Sequence, residues 1–91
     1  MSAIKFINNA DSTVDFRLFQ GINRVANVDV HAGGSANVPT TTRHNVSAAD
    51  LWTCYAICNG ITTATVTIDD PDANVTATPN NNNAGISLIV S

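Results

Sequence analysis

Three aspartates, Asp69, Asp70 and Asp72, lie together in a short polar stretch and provide a group of hard oxygen ligands. Carboxylate oxygens at such spacing can collect Ca²⁺, although the pattern does not match an EF-hand loop. The alternative is structural, because Asp and Pro residues cap local backbone groups and build turns. The sequence favours a turn here, with Ca²⁺ binding as the functional alternative and no other cofactor indicated.

The nearest approach to a hydrolytic triad consists of His44, Ser47 and Asp50. No Gly-x-Ser-x-Gly nucleophile elbow surrounds Ser47, which is better explained as a turn or cap residue. His31 and His44 are not spaced with the two cysteines in the way that a four-ligand zinc site requires. We therefore predict that the protein is not an enzyme.

The two cysteines, Cys54 and Cys58, are four positions apart and lie on the same face of any strand that contains both. At ~3.3 Å per residue they are roughly 13 Å apart, which is too far for them to form a disulfide with each other. Two small buried thiols are the simpler interpretation, since free cysteine usually behaves as a small hydrophobic residue. The alternative is a disulfide between two molecules, made by an outward-facing Cys54.

Trp52 is the only tryptophan of the chain, and an exposed indole ring can stack on a sugar. The polar loop that contains Asn80, Asn81 and Asn82 could supply hydrogen bonds to the same glycan. The structural alternatives are that Trp52 is half-buried at the rim of the core and that the asparagines form a solvated loop. A lectin-like glycan site at these four residues is therefore the second functional hypothesis.

The positions of Trp52, Cys54 and Cys58 depend on a hairpin that we predict around Asn59-Gly60, in the segment LWTCYAICNGITTATVTIDD. Asn-Gly between alternating strand-forming residues is a strong hairpin signal, because both residues tolerate the positive φ of a type I′ turn. A regular register then places Cys58 opposite Ile61 and Thr53 opposite Val66, and it continues without interruption to Leu51 opposite Ile68. A helix over residues 47–60 is the competing interpretation, since Ser47 to Asp50 resembles a capping box.

The two faces of this hairpin differ in character, and we predict that Leu51, Thr53, Tyr55 and Ile57 point into the core. The opposite face carries no charge and is then the candidate surface for self-association or ligand binding. Its predicted members are Trp52, Cys54, Thr63, Thr65 and Thr67.

Period-two alternation with turn clusters recurs along the rest of the chain, as is typical of sandwiches and barrels. Residues Val14, Phe16 and Leu18 are predicted to point inward, with Asp15 and Arg17 outward. Pro39 is expected to mark an edge strand. We predict one domain, residues 1–91, folded as an antiparallel β-sandwich of jelly-roll or immunoglobulin-like topology with about seven to eight strands.

Composition limits the classes of partner. The chain of 91 residues has four Lys and Arg residues and a net charge of −3, so it cannot neutralise a run of phosphates, and nucleic acid is not an expected partner. No membrane-length apolar run and no signal peptide are visible, which leaves cytoplasmic synthesis and a mature secreted chain equally open.

The leading functional hypothesis is a non-catalytic structural subunit that works as a homo-oligomer, in a fibre, coat or inclusion. Charged residues are only 12% of the chain, so repulsion between copies is weak. Edge strands with few protecting lysines also favour contact between chains. The alternative is a lectin-like carbohydrate-binding module, which would be calcium-dependent if Asp69, Asp70 and Asp72 bind Ca²⁺.

Overall fold

The computed structural model describes residues 3–39, 52–68, 72–80 and 85–91. These residues form nine strands and no helix. The strands are β1 (Ala3–Asn8), β2 (Val14–Gln20), β3 (Asn23–Val30), β4 (Ser35–Pro39), β5 (Trp52–Cys58), β6 (Ile61–Thr62), β7 (Val66–Ile68), β8 (Asn74–Pro79) and β9 (Ile86–Val90). The prediction of an all-β, sandwich-like domain is confirmed, and the competing helix is contradicted from Trp52 onward.

The strands are arranged in two packed sheets. The first sheet has the order β4-β1-β8-β9, and the second has the order β3-β2-β5-β6, with β7 also pairing with β5. Pro39 lies in β4, which is an edge strand as predicted. None of the described residues forms a helix long and apolar enough to cross a membrane.

One strand pair departs from the antiparallel arrangement that the sequence predicts. Strand β1 pairs antiparallel with β4 but parallel with β8, with Lys5 beside Asn74. The chain passes through the second sheet before β8 forms, so no tight turn fixes the direction of this pair, whereas hairpin-connected strands must be antiparallel. The sandwich is therefore mixed rather than purely antiparallel.

The core lies between the two sheets. Alternate residues of β2 are buried, as predicted, and Phe16 of β2 meets Phe6 of β1 with ring centroids 4.8 Å apart. The buried apolar residues are Ile4, Phe6, Ala10, Val14, Phe16, Leu18, Val30, Val38, Trp52, Cys54, Ala56, Cys58, Ile68, Ala73, Val75, Ala77 and Ile86.

The hairpin turn is confirmed, but its predicted register holds only for the two residue pairs next to the turn. Asn59 and Gly60 have φ values of 55° and 81°, and Cys58 pairs with Ile61. Farther along, Cys54 pairs with Val66, a slip of one residue from the predicted register. The slip occurs at residues 63–65, which belong to no strand, and there the Thr63 hydroxyl accepts a hydrogen bond from the Ala56 N–H at 3.0 Å. This side-chain contact substitutes for a regular ladder bond.

The prediction of which face of β5 is core is wrong. Its buried residues are Trp52, Cys54, Ala56 and Cys58, while the residues between them, including Tyr55, are only half-buried. The physical reason is the partner strand: paired residues share a face, and β5 is paired with β2 so that Cys54 lies opposite the buried Leu18. Leu51 lies outside the described residues.

Candidate functional site

The five residues predicted to share an uncharged exposed face do not form one surface. Trp52 is 5% exposed and Cys54 is completely buried, so both belong to the core. Thr63 is half-buried in the link between β6 and β7, and Thr65 and Thr67 are exposed. Two differences from the prediction separate these side chains: the register of β7 is shifted by one residue, and the inner and outer faces of β5 are exchanged.

The residues of the predicted glycan site are also separated. Trp52 is buried, and a buried indole offers no ring face to a sugar. Asn80 is exposed and its amide nitrogen donates a hydrogen bond to the Ser87 hydroxyl. Asn81 and Asn82 lie outside the described residues. Glycan binding stays a prediction, without the stacking residue on which it depended.

Of the three predicted calcium ligands, only Asp72 is described. It is exposed, and its Oδ1 accepts a hydrogen bond from the Ala3 N–H at 3.2 Å, which joins the start of β1 to the chain just before β8. Asp69 and Asp70 lie outside the described residues. The three residues considered above as a hydrolytic triad, His44, Ser47 and Asp50, also lie outside them. In the part of the chain that the structure describes, no group of three or more His, Cys, Asp and Glu side chains could hold a metal ion.

Both cysteines are free and buried, as the simpler interpretation predicts. Removal from water raises the pKa of the Cys54 thiol to about 12, because burial disfavours the thiolate. Its Sγ instead donates to the Tyr55 carbonyl at 3.5 Å. Since Cys54 faces the core rather than outward, the proposed route to a disulfide between molecules is removed.

We expect that neither Cys54 nor Cys58 reacts with a thiol reagent in the native protein at about pH 8, and that both react in denaturant, because only an exposed thiolate is nucleophilic. Rapid labelling of the native protein would contradict the burial of both thiols.

The raised pKa of Cys54 also predicts how the stability of the fold depends on pH. The contribution of the buried thiol is complete below the ordinary thiol pKa of 9.0 and is lost as the pH rises toward 12. Urea titrations between these pH values would measure that loss.

The structure places an apolar surface elsewhere, on the outer side of the second sheet. We call it the aromatic face and define it as Phe19, Tyr55 and Ile57 with the adjoining Asp15 and Arg17. The rings of Phe19 and Tyr55 are stacked, with centroids 5.7 Å apart and an interplanar angle of 20°. All five side chains are half-buried in the isolated chain, so each still has area to lose to a partner.

Charge on the aromatic face is internally balanced. The Arg17 guanidinium contacts the Asp15 carboxylate at 3.1 Å, and both side chains remain partly exposed. Side-chain hydrogen bonds raise the pKa of Arg17 above its ordinary value, and the bond to Asp15 has a larger effect than the bond to Tyr55. The face therefore combines an aromatic pair with an ion pair on the two middle strands of the second sheet.

Sequence reasoning missed Phe19 and Tyr55 as surface residues, although one signal for Phe19 was present. The alternation of β2 places Asp15 and Arg17 outward, and Phe19 follows them at the same period. No such signal was available for Tyr55, because both faces of β5 are apolar in sequence. Its position follows only from pairing with β2, where Tyr55 lies opposite Arg17.

Comparison with known proteins adds no relative from which a site could be transferred. No protein-family model, no curated protein and no solved structure matches this chain.

Proposed function

We propose that this protein is a non-catalytic structural subunit that acts by associating with further copies of itself. The observation that carries the proposal is the aromatic face. The solvated side of a sheet normally alternates polar residues with the inward apolar ones. Here Phe19, Tyr55 and Ile57 occupy outward positions on the two central strands of the second sheet.

The composition of this face suits a protein partner. Aromatic residues and Arg are enriched in the buried centres of protein interfaces, and Tyr and Arg are frequent hot-spot residues. Because Arg17 is already paired with Asp15, these two side chains bring no unpaired charge to a contact with a second copy. Two such faces related by a two-fold axis would form an isologous contact.

The rest of the molecule opposes association only weakly. The net charge is −3 and charged residues are 12% of the chain, so long-range repulsion between copies is small. Asn, Ser and Thr supply much of the remaining polarity, and these neutral groups carry no repulsion. Self-association is the function that uses this combination of a neutral surface and an outward aromatic pair.

Light scattering on a size-exclusion column, over about a hundredfold range of protein concentration, tests the proposal through mass action. We expect a species larger than the 9.5 kDa monomer whose size rises with concentration. Replacing Phe19 by Lys should weaken association roughly tenfold, because a hot-spot ring is exchanged for a charge. The matched control is Ile22→Lys, since Ile22 is 96% exposed in the turn between β2 and β3.

Each outcome of this experiment bears on the proposal. Weaker association of Phe19→Lys, with Ile22→Lys unchanged and both variants folded by circular dichroism, supports it. Equal effects of the two substitutions would mean that the position of the added charge does not matter, and would remove the aromatic face as the basis of association. A 9.5 kDa monomer at every concentration would overturn self-association, and a glycan array with and without EDTA would then test the lectin-like alternative.

A further inference from the structure

We infer that a second copy of this chain pairs antiparallel with the outer edge of β9 at residues 88–90, so that the first sheet continues across a two-fold axis into the second molecule. This inference rests on the proposed function and names one interface for it. It is carried by a part of the molecule distinct from the aromatic face, which lies on the other sheet.

Among the edges of the two sheets, β9 has the fewest features that prevent pairing. Edge strands are normally protected by charges, by proline or by being short and interrupted. Strand β3 carries Arg24 and Asp29, β4 contains Pro39, and the edge formed by β6 and β7 is broken at residues 63–65. Strand β9 runs Ile-Ser-Leu-Ile-Val without a charge, a proline or a break.

The backbone of β9 shows which groups face the open side. Asn74 and Ser91 exchange two hydrogen bonds, at 2.8 and 2.9 Å. In an antiparallel ladder, hydrogen-bonded pairs alternate with non-hydrogen-bonded ones. The pair of Thr76 and Ile89 is therefore hydrogen-bonded, and Leu88 and Val90 direct their N–H and C=O groups away from β8. No strand in the described part of the chain pairs with β9 on that side.

This alternation determines a register for two copies. If the two-fold axis passes between the two Ile89 residues, Leu88 of each copy lies opposite Val90 of the other, and the outward backbone groups of both become hydrogen-bonded. Ile89 of one copy then lies opposite Ile89 of the other in a non-hydrogen-bonded pair, where Cα atoms are about 4.5 Å apart and side chains approach closely. Ile89 is 53% exposed in the single chain, so this contact removes an exposed aliphatic side chain from water.

The inner side of the same edge leaves space. A groove of about 140 Å³ is lined on one side by Ile86, Ser87 and Leu88 of β9. On the other side it is lined by Thr63 and Ala64, in the link between β6 and β7, and by Val66 of β7. In the proposed register, Leu88 and Val90 of the second copy point toward this inner side, because residues opposite each other share a face. None of the residues lining the groove is charged, so continuing the sheet into a second copy brings no charge into this space.

Disulfide trapping tests both the interface and its register. We expect Ile89→Cys to form a disulfide-linked dimer under mild oxidation, because cross-strand neighbours satisfy disulfide geometry. The native cysteines are buried and do not compete. The matched control is Asn37→Cys, an exposed position on the other edge strand of the same sheet, which should remain unlinked.

A charge substitution tests the same edge without oxidation. Ile89→Lys places two like charges directly opposite each other and should weaken association roughly tenfold. Asn37→Lys adds the same charge at an exposed position on β4 and should leave association unchanged.

The outcomes separate the edge from the proposed function. A trapped dimer with weakened Ile89→Lys supports β9 pairing. Association that persists unchanged in Ile89→Lys, without trapping of Ile89→Cys, would overturn the β9 interface and leave self-association standing. Trapping of Asn37→Cys as efficiently as Ile89→Cys would also overturn it, because linkage would then reflect random collision. A wild-type monomer at every concentration would overturn both.

Discussion

Replacing Asn8 by alanine is expected to lower the free energy of unfolding by roughly 3 to 5 kcal/mol, because it leaves several buried backbone groups without partners. Asn8 is completely buried at the end of β1. Its amide nitrogen donates to the Ser12 carbonyl at 2.7 Å and to the Val30 carbonyl at 2.8 Å. Its Oδ1 accepts from the Ala10 N–H at 2.9 Å.

These three contacts join separate parts of the chain. Ser12 precedes β2, Val30 ends β3, and the Asn8 backbone also bonds to Gly33 and Gly34 in the turn before β4. One side chain thus holds the turn from the first sheet to the second and the end of a strand in the opposite sheet. A buried network of this kind is stabilising only when every member is satisfied.

Urea unfolding followed by Trp52 fluorescence would measure the effect of Asn8→Ala, since Trp52 is buried in the native state. The neighbouring Asn9→Ala is the control, because Asn9 is exposed and surface substitutions usually change stability by less than about 0.5 kcal/mol. Equal stabilities of the two variants would contradict the role assigned to Asn8.

Replacing Phe16 by alanine is expected to destabilise the fold by about 3 to 5 kcal/mol, through lost apolar burial and the cavity that remains. Phe16 is completely buried, and its ring packs on Phe6 of the opposite sheet at a centroid distance of 4.8 Å and an angle of 31°. This pair joins the two sheets near the middle of β1 and β2.

The control for Phe16→Ala is Phe19→Ala, which removes the same side chain from the same strand on the outer face. Phe19 is only half-buried, so we expect less than half the loss seen for Phe16. Urea denaturation of both variants gives the comparison. A larger loss at Phe19 than at Phe16 would mean that the two faces of the second sheet have been assigned the wrong way round.

Strand β2 could be predicted from sequence because its two faces differ chemically. Val14, Phe16 and Leu18 alternate with Asp15 and Arg17, and only one orientation buries the apolar set. Strand β5 lacks this contrast, since Trp52, Cys54 and Ala56 on one face compete with Tyr55 and Ile57 on the other. Its orientation is decided by pairing with β2, which is information that a single segment does not contain.

The candidate surfaces also depend on strand pairing that a single segment of sequence does not reveal. Asn59-Gly60 predicts the hairpin turn correctly, but nothing in residues 61–68 signals that the Thr63 hydroxyl will replace a ladder bond and shift β7 by one residue. The shift changes which threonines lie beside which partners. The position of Ile89 at an outer edge likewise follows only from the order of strands in the sheet.

The parallel pairing of β1 with β8 has a consequence for how the chain folds. The Ala3 N–H is hydrogen-bonded to Asp72 across 69 positions of sequence, so β1 cannot complete its sheet until the chain has been synthesised beyond β8. Non-local pairing of this kind slows folding, because loop-closure entropy must be overcome before the contact forms. During that interval β1 has an unpaired side, and intermediates with unpaired strand edges are prone to join one another. The rate of synthesis and the local concentration of nascent chains should therefore influence how much native protein is recovered.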